Sequence, residues 1–419
     1  MFAFAPKTPF GKNMYYLIKW TVIAGCIGCA GGVVGSLFSL GVLWATGFRG
    51  ANPWTLWLLP LAGLFIVWFY RALHEEKNRG TNMIISSISS NEKVTFATAP
   101  LIFLSTVVTH LTGGSAGREG AALQLGGSIG FFLGEKTGLD EKDRKIAVMC
   151  GMSAVFAALF GTPIAAATFS MEVISIGVIY YAALLPSLFS AFIGYRISLA
   201  FGIEPERYPV TIVPDFLPKS VLFVVFLGAL CALVSILFCQ ILHRGEHLYK
   251  KAFPNPFVRV LVGSTLVIAL TLLVKTRAYN GSSIALIEQA MEGEVRYEAF
   301  FLKMIFTALT LGAGFKGGEI VPTLCVGATF GGAVGKLFQF QNPQFCAACG
   351  MAALFVGVTN CPISTLLIAL ELFGYAGMEY FSIIIAISFT LSGYYGLYAS
   401  QKFVYSKTRT EFINRTPNE

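Results

Sequence analysis

The chain has 419 residues, 55% of them hydrophobic and only 12% charged, against about 25% charged in ordinary soluble domains. So little charge cannot cover a water-exposed surface of this size, which excludes a soluble multidomain protein and predicts an all-α polytopic membrane protein. The net charge of +8 is dispersed among inter-helix loops, so it reads as topology and excludes a nucleic-acid footprint.

Apolar windows able to span a hydrocarbon core of about 30 Å run over residues 15–44, 56–70, 97–111, 217–242, 258–274 and 380–397. The first extends past the core of a cleavable signal peptide. No large soluble segment follows residue 400, so the reading is one integral membrane domain over 1–419 with no cytoplasmic regulatory module. Basic residues flank these windows: Lys7, Lys12 and Lys19; Arg71, Lys77 and Arg79; Arg244, Lys250, Lys251 and Arg259; Lys402, Lys407, Arg409 and Arg415. The positive-inside rule places all of them, and both termini, on the cytoplasmic side of the cell membrane. His74, His243 and His247 are read as lying in the charged loops, as are Asp140, Asp143 and Asp215.

Three further segments, 121–133, 164–178 and 324–337, are too short or too glycine-interrupted to cross fully. One of them belongs to an internal repeat. CGMSAVFAALFGTPIAAATFSMEV, starting at Cys150, matches CGMAALFVGVTNCPISTLLIALEL, starting at Cys349, without a gap at an offset of 199. Matched positions include Gly151, Met152, Phe156, Pro163 and Glu172 against Gly350, Met351, Phe355, Pro362 and Glu371. The same offset lays GGSAGREG at 113–120 on GAGFKGGE at 312–319. Two homologous repeats, about 15–205 and 215–400, are therefore expected. An odd number of spans in each would invert one against the other. Broken helices are tolerated at membrane depth only where their ends face protein or a water-filled cavity. There the N-terminus of a half-helix presents roughly half a positive charge, a ready anion site.

Nine cysteines, two pairs of them spaced CxxC (Cys26 with Cys29, Cys346 with Cys349), sit in apolar stretches without histidine partners. They read as small packing residues, and no metal or cofactor is expected. A phosphate-binding GxxxxGK[ST] loop is absent. The aspartates offer no membrane-embedded pair for hydrolysis, so an enzyme is not expected.

GSAGREG, FGTPIAAATFSMEV, GGEIVP, GTNMI at 80–84 and GLYAS at 396–400 occur in the order of the landmarks of the CLC chloride channels and anion/proton antiporters. Over about residues 15–405 the chain resembles that family. Ala121 stands where chloride-handling members have proline. Val173 follows Glu172 where chloride/proton exchangers have a second glutamate, and Glu319 precedes the second-half turn. These departures resemble the CLC-type fluoride/proton antiporters. Val321 stands where that branch commonly has threonine. The resemblance implies a CLC-like inverted repeat with half-length helices meeting at the midplane, and a homodimer with one path per subunit. It implies exchange of a halide, fluoride favoured, against protons across the lipid bilayer. The alternative is a chloride/proton exchanger or chloride channel.

The resemblance also implies site residues. Glu119 would be a protonatable gate that occupies an anion site; the bland alternative is a glutamate simply paired with Arg118. Arg118 would steady the turn, and Gly117 and Gly120 would let main-chain N–H groups approach the ion. Glu319 would relay the proton, or else pair structurally with Lys316. Main-chain N–H groups of Ile320 and Val321 would be ligands. Thr81 and Tyr398 would donate hydroxyls, with Met83 in the place of Thr81 if the register slips and Tyr394 and Tyr395 as close alternatives to Tyr398. Glu172 and Glu371 read as structural or water-facing, and Thr359, Asn360 and Cys361 as capping a half-helix.

Overall fold

The computed structural model describes residues 8–90, 92–340 and 342–418; Lys7 lies outside them. In the first half, α1 spans Pro9–Ala51, and a short 3-10 turn leads into α2, Leu59–Ala72. Then come α3 (Thr81–Ser89), α4 (Thr98–Thr112), α5 (Glu119–Lys136), α6 (Glu141–Phe160), α7 (Pro163–Glu172) and α8 (Leu184–Ala200). The second half has α9 (Pro218–Ala252), α10 (Pro256–Leu273), α11 (Ile284–Met291) and α12 (Ala299–Ala313). It continues with α13 (Ile320–Leu337), α14 (Pro343–Thr359), α15 (Pro362–Phe373) and α16 (Met378–Leu391).

Six helical stretches among the described residues are long and apolar enough to cross a membrane: Pro9–Ala51, Pro53–Ala72, Tyr181–Ala200, Pro218–Ala252, Pro256–Leu273 and Ile320–Leu337. The last contains the segment 324–337, expected from the sequence to be too short to cross; the helix gains the needed length by starting at Ile320. The windows at 97–111 and 380–397 fall instead on helices of 15 and 14 residues. The second is cut short by a turn with Gly393 at φ 58°. His243, His247, Lys250 and Lys251 belong to the end of the 35-residue α9, not to a loop. Asp140 caps α6 by accepting from the Asp143 N–H at 2.8 Å, and Asp143 pairs with Lys19. A small sheet unforeseen in the sequence closes the chain: β1 (Ser175–Ile176) pairs in parallel with β2 (Lys402–Tyr405), which pairs antiparallel with β3 (Phe412–Arg415).

The two halves match element by element, and their register differs from the offset read in the sequence. Helix α4 ends on left-handed Gly113 (φ 88°) and α12 on left-handed Gly314 (φ 113°). Helix α13 begins at Ile320, 201 positions after α5 begins at Glu119; both have 18 residues. The offset of 199 holds at the ends of α6 and α14 and the starts of α7 and α15, because α6 has 20 residues and α14 only 17. The counterpart of Arg118 is therefore Glu319, and that of Glu119 is Ile320.

Small residues let these helices pack backbone to backbone. A Cβ added at Gly331 would lie 3.0 Å from the Gly350 Cα, and one at Gly130 would lie 3.0 Å from the Val148 Cα. The α5–α6 and α13–α14 pairs thus use glycine as close-packed membrane helices do. The small residues around Gly151 serve the same chain: a Cβ at Gly31 of α1 would come 2.8 Å from the Ala154 Cβ.

Helices α7 and α15 cap each other. Glu172, at the end of α7, accepts from the Ile363 and Ser364 N–H groups at 3.1 and 2.8 Å, and from the Ser364 hydroxyl. Glu371 accepts from the Ile164 and Ala165 N–H groups at 3.3 and 2.8 Å. Each carboxylate satisfies the orphan donors of the opposite helix, a structural role, with Glu172 buried and Glu371 partly buried. Asn360 is the left-handed C-cap of α14, not the N-cap of α15. Replacing Glu172 with Ala should destabilise the protein by about 1–3 kcal/mol, the cost of stranding buried donors. A thermal melt in detergent reads this directly, and an unchanged midpoint would contradict the capping role.

Candidate ion path

The turns 113–118 and 314–319 bring α5 and α13 nose to nose. The Gly117 N–H donates to the Gly318 carbonyl at 2.6 Å, and the Gly318 N–H donates to the Gly117 carbonyl at 2.8 Å. These two glycines are each other's counterparts, so the bridge lies on the axis relating the halves. No larger residue fits. A Cβ at Gly117 would sit 3.0 Å from the Val321 Cβ and Pro322 Cδ, and one at Gly318 would strike the Gly120 N.

The first helical bonds run from Ala122 N–H to the Arg118 carbonyl and from Thr323 N–H to the Glu319 carbonyl. Upstream, the N–H groups of Glu119, Gly120, Ala121, Ile320 and Val321 have no acceptor within their own helices, and Pro322 has no N–H to satisfy. Two helix N-termini thus converge on one spot, which gathers donors and partial positive charge where an anion would be stabilised.

Both candidate carboxylates lie at this junction. Glu119 is fully buried. Its Oε2 accepts from the Arg118 N–H at 3.2 Å and its Oε1 from Arg118 Nε at 3.3 Å. The pairing with Arg118 is real, but Glu119 opens a helix and does not sit in a loop. Glu319 reaches across: a Cβ at Gly120 would lie 3.1 Å from the Glu319 Oε2. That oxygen is buried and has no hydrogen-bond partner. No ion pair joins Glu319 to Lys316 among the described residues; the Lys316 ammonium lies over the Tyr70 ring, 4.5 Å from its centroid.

Glu319 faces a cavity of about 540 Å³ whose inner wall includes Thr81, Gln124 and Tyr398 and whose rim carries Lys77, Arg79 and Lys250. The Tyr398 hydroxyl is buried without a partner. Tyr394 instead bonds Ser406 at 2.9 Å, which separates the C-terminal tyrosines. Thr81 lines the cavity, but its hydroxyl already donates to the Gly120 carbonyl at 3.2 Å and accepts from Gln124 Nε2 at 3.2 Å. Its proton therefore fixes α3 to α5 in this conformation. Met83 is buried in the apolar core and does not line the cavity. Ile320 and Val321 are buried, leaving only main-chain groups to offer an ion.

Several residues around the junction went unnoticed in the sequence. Arg118 binds a second carboxylate, Glu206, at 2.6 Å. Lys303 lies fully buried in α12 and donates to Ser115 Oγ (2.9 Å) and the Gly281 (2.7 Å) and Tyr279 (3.3 Å) carbonyls. It ties the turn before α5 to the second half. His110 Nε2 lies 3.3 Å from the Gly117 carbonyl. Lys303 did carry a sequence signal, since a lysine inside an apolar helix is functional or paired by default.

Residues 62–393 match the family described as the voltage gated chloride channel. A chloride/fluoride channel protein of Pseudomonas syringae pv. tomato is 34% identical over 399 residues, covering 94% of this chain and 88% of its own. A CLC-type fluoride/proton antiporter of known structure superposes with a TM-score of 0.89 at 30% identity, over 94% of this chain and 99% of its own. A slow cyanobacterial chloride/proton antiporter shares the fold alone, with a TM-score of 0.72 at 18% identity, over 89% and 94% of the two chains. With two opposed helix N-termini, a buried carboxylate at each and matches over most of its length, the chain belongs to the CLC family of voltage-gated chloride channel proteins.

Proposed function

We propose that this protein is a fluoride/proton antiporter that exports fluoride across the cytoplasmic membrane, and not an enzyme. The observation that carries the reading is the pair of groups left unpartnered at the junction, the Glu319 Oε2 and the Tyr398 hydroxyl. Of the twelve buried side-chain polar atoms without a partner among the described residues, only these two belong to residues lining the cavity beside the converging N–H donors. Fluoride is small and strongly hydrated, so its site must replace water with real donors, which the Tyr398 hydroxyl and Glu319 in its protonated form would supply. The names of the Pseudomonas relative and of the 30% identical antiporter support the same reading.

In this reading Glu119 is the gate. Ionised, it holds the donors of the α5 N-terminus. Protonated, it releases them to the anion and carries its proton along the path. Glu319 exchanges protons on the cavity side, taken as cytoplasmic by the positive-inside rule from Lys77, Arg79 and Lys250. Gly117 and Gly120 keep the backbone accessible, Arg118 fixes the turn, and the main-chain donors of Ile320 and Val321 with the Tyr398 hydroxyl complete the site. Thr81 contributes once its bond to Gly120 opens. Each subunit of a homodimer would carry one such path, with both termini cytoplasmic.

A second reading, chloride/proton exchange or a chloride channel, has one observation in its favour: the apolar Val321 lies against Gly117 at the junction, and chloride tolerates an apolar wall. Efflux of fluoride and chloride from proteoliposomes, measured in parallel, separates the two. Fluoride efflux should be at least about tenfold faster, a preference of roughly 1.4 kcal/mol. Equal rates or a chloride preference would remove the fluoride reading.

A further inference from the structure

Arg118 holds two carboxylates at once, and the one nearer the surface holds it more tightly. Its Nη2 donates to Glu206 Oε1 at 2.6 Å, whereas its Nε donates to Glu119 Oε1 at 3.3 Å. Nη1 donates to Ser39 Oγ at 3.1 Å, and Nη2 also reaches the Leu159 carbonyl at 3.4 Å. Three of these four side-chain contacts do not involve Glu119. The guanidinium would keep its place if Glu119 moved away.

Glu206 owes its own position to both halves of the molecule. It lies in the segment between α8 and α9, which is pinned by two main-chain bonds, Tyr208 N–H to the Leu372 carbonyl (2.8 Å) and Val210 N–H to the Phe373 carbonyl (2.9 Å). Pro205 packs over the turn at Gly161, where an added Cβ would come 2.7 Å from the Pro205 Cα. The Glu206 side chain is 13% exposed, that of Glu119 0%.

Two carboxylates around one guanidinium leave a net negative charge in a desolvated site, and a like charge nearby favours the protonated form of one of them. Glu206 has the shorter bond and touches solvent. Glu119 has the longer bond and none, so the proton falls to Glu119.

We propose that Glu206 is the counter-ion that frees Glu119 to work as a gate: it anchors Arg118 while Glu119 is away and eases protonation of Glu119 while it is home. The proposal rests on the reading of Glu119 as the proton-coupled gate. Glu206 is a positioning residue, since it contacts Arg118 and acts on the ion through it. The other charged or titratable groups facing this trio are His110 from α4, with Arg49 of α1 and Lys303 of α12 behind it, Tyr208 of the same segment and Glu288 of α11. Tyr398 and Glu319 face it from the cavity side. All of these are unchanged in the variants below.

The test measures fluoride flux and proton movement in proteoliposomes as a function of pH. Losing Glu206 removes a like charge near Glu119 and leaves Arg118 to Glu119 alone, so both effects favour ionised Glu119. In Glu206→Gln the midpoint of proton-coupled flux should move about one pH unit toward acid, with coupling still present. Glu206→Asp keeps the charge and should move it by less than half as much. In a Glu119→Gln background, Glu206→Gln should leave the pH dependence of the remaining flux unchanged. A wild-type midpoint in Glu206→Gln would overturn the proposal. So would equal shifts in the Gln and Asp variants, which indicate lost packing, or a shift that survives without Glu119, which makes Glu206 the titrating group. Failure of the gate reading itself would show separately, as coupled exchange in Glu119→Gln alone.

Discussion

Replacing Glu119 with Gln should reduce fluoride-driven proton movement by about 100-fold or more, the order that positioned proton transfer contributes, while leaving an anion leak. Glutamine matches the shape of glutamic acid but can neither ionise nor carry a proton. The fold around it should survive, because Arg118 keeps Glu206, Ser39 and the Leu159 carbonyl, and the Gly117–Gly318 bridge needs no side chain. Fluoride-selective and pH electrodes read together decide the point. Coupled exchange in this variant would place the gate elsewhere.

A second large effect is expected at Glu319. Glu319→Gln and Glu319→Ala should each lower proton coupling by at least about tenfold. The Glu319 Oε2 has no partner to lose, and the amide would keep the volume beside Gly120, so stability should change little in the glutamine variant. Were Glu319 only a structural partner of Lys316, removing it would strand a buried ammonium and lower the melting temperature with coupling intact. The position of Lys316 over the Tyr70 ring argues for the first outcome. Full coupling in both variants would contradict the relay.

What was legible in the sequence followed local pattern. Glycine-flanked charges marked both turns, and the Pro163 and Pro362 matches marked the repeat. Apolar length marked α1, α9 and α10. The exact pairing between repeats was not legible, because helix length drifts by a few residues between α6 and α14 while the strongest identities lie downstream of that drift. The offset of 199 therefore sets Glu319 against Gly120, when its structural counterpart is Arg118.

Tertiary partners were hidden for a different reason. Glu206 is one charge among several in GIEPERYP at 202–209, and only the folding of that segment over Gly161 brings it to Arg118. The mutual capping by Glu172 and Glu371 depends on an antiparallel packing that a single segment cannot report. Thr81 has the right residue type, yet a neighbouring carbonyl and the Gln124 amide have claimed its hydroxyl. The C-terminal hairpin is only four residues per strand, too short for an alternating pattern to stand out.

Fluoride-driven uphill proton transport is the most direct measure of antiport. Proteoliposomes loaded with fluoride, placed in fluoride-free medium at equal pH on both sides with the voltage clamped by an ionophore, should take up protons as fluoride leaves. Wild-type protein should sustain this uptake against the pH gradient it builds, and Glu119→Gln should not. Fluoride efflux from wild-type protein with no accompanying proton uptake would contradict the account and leave a passive anion channel in its place.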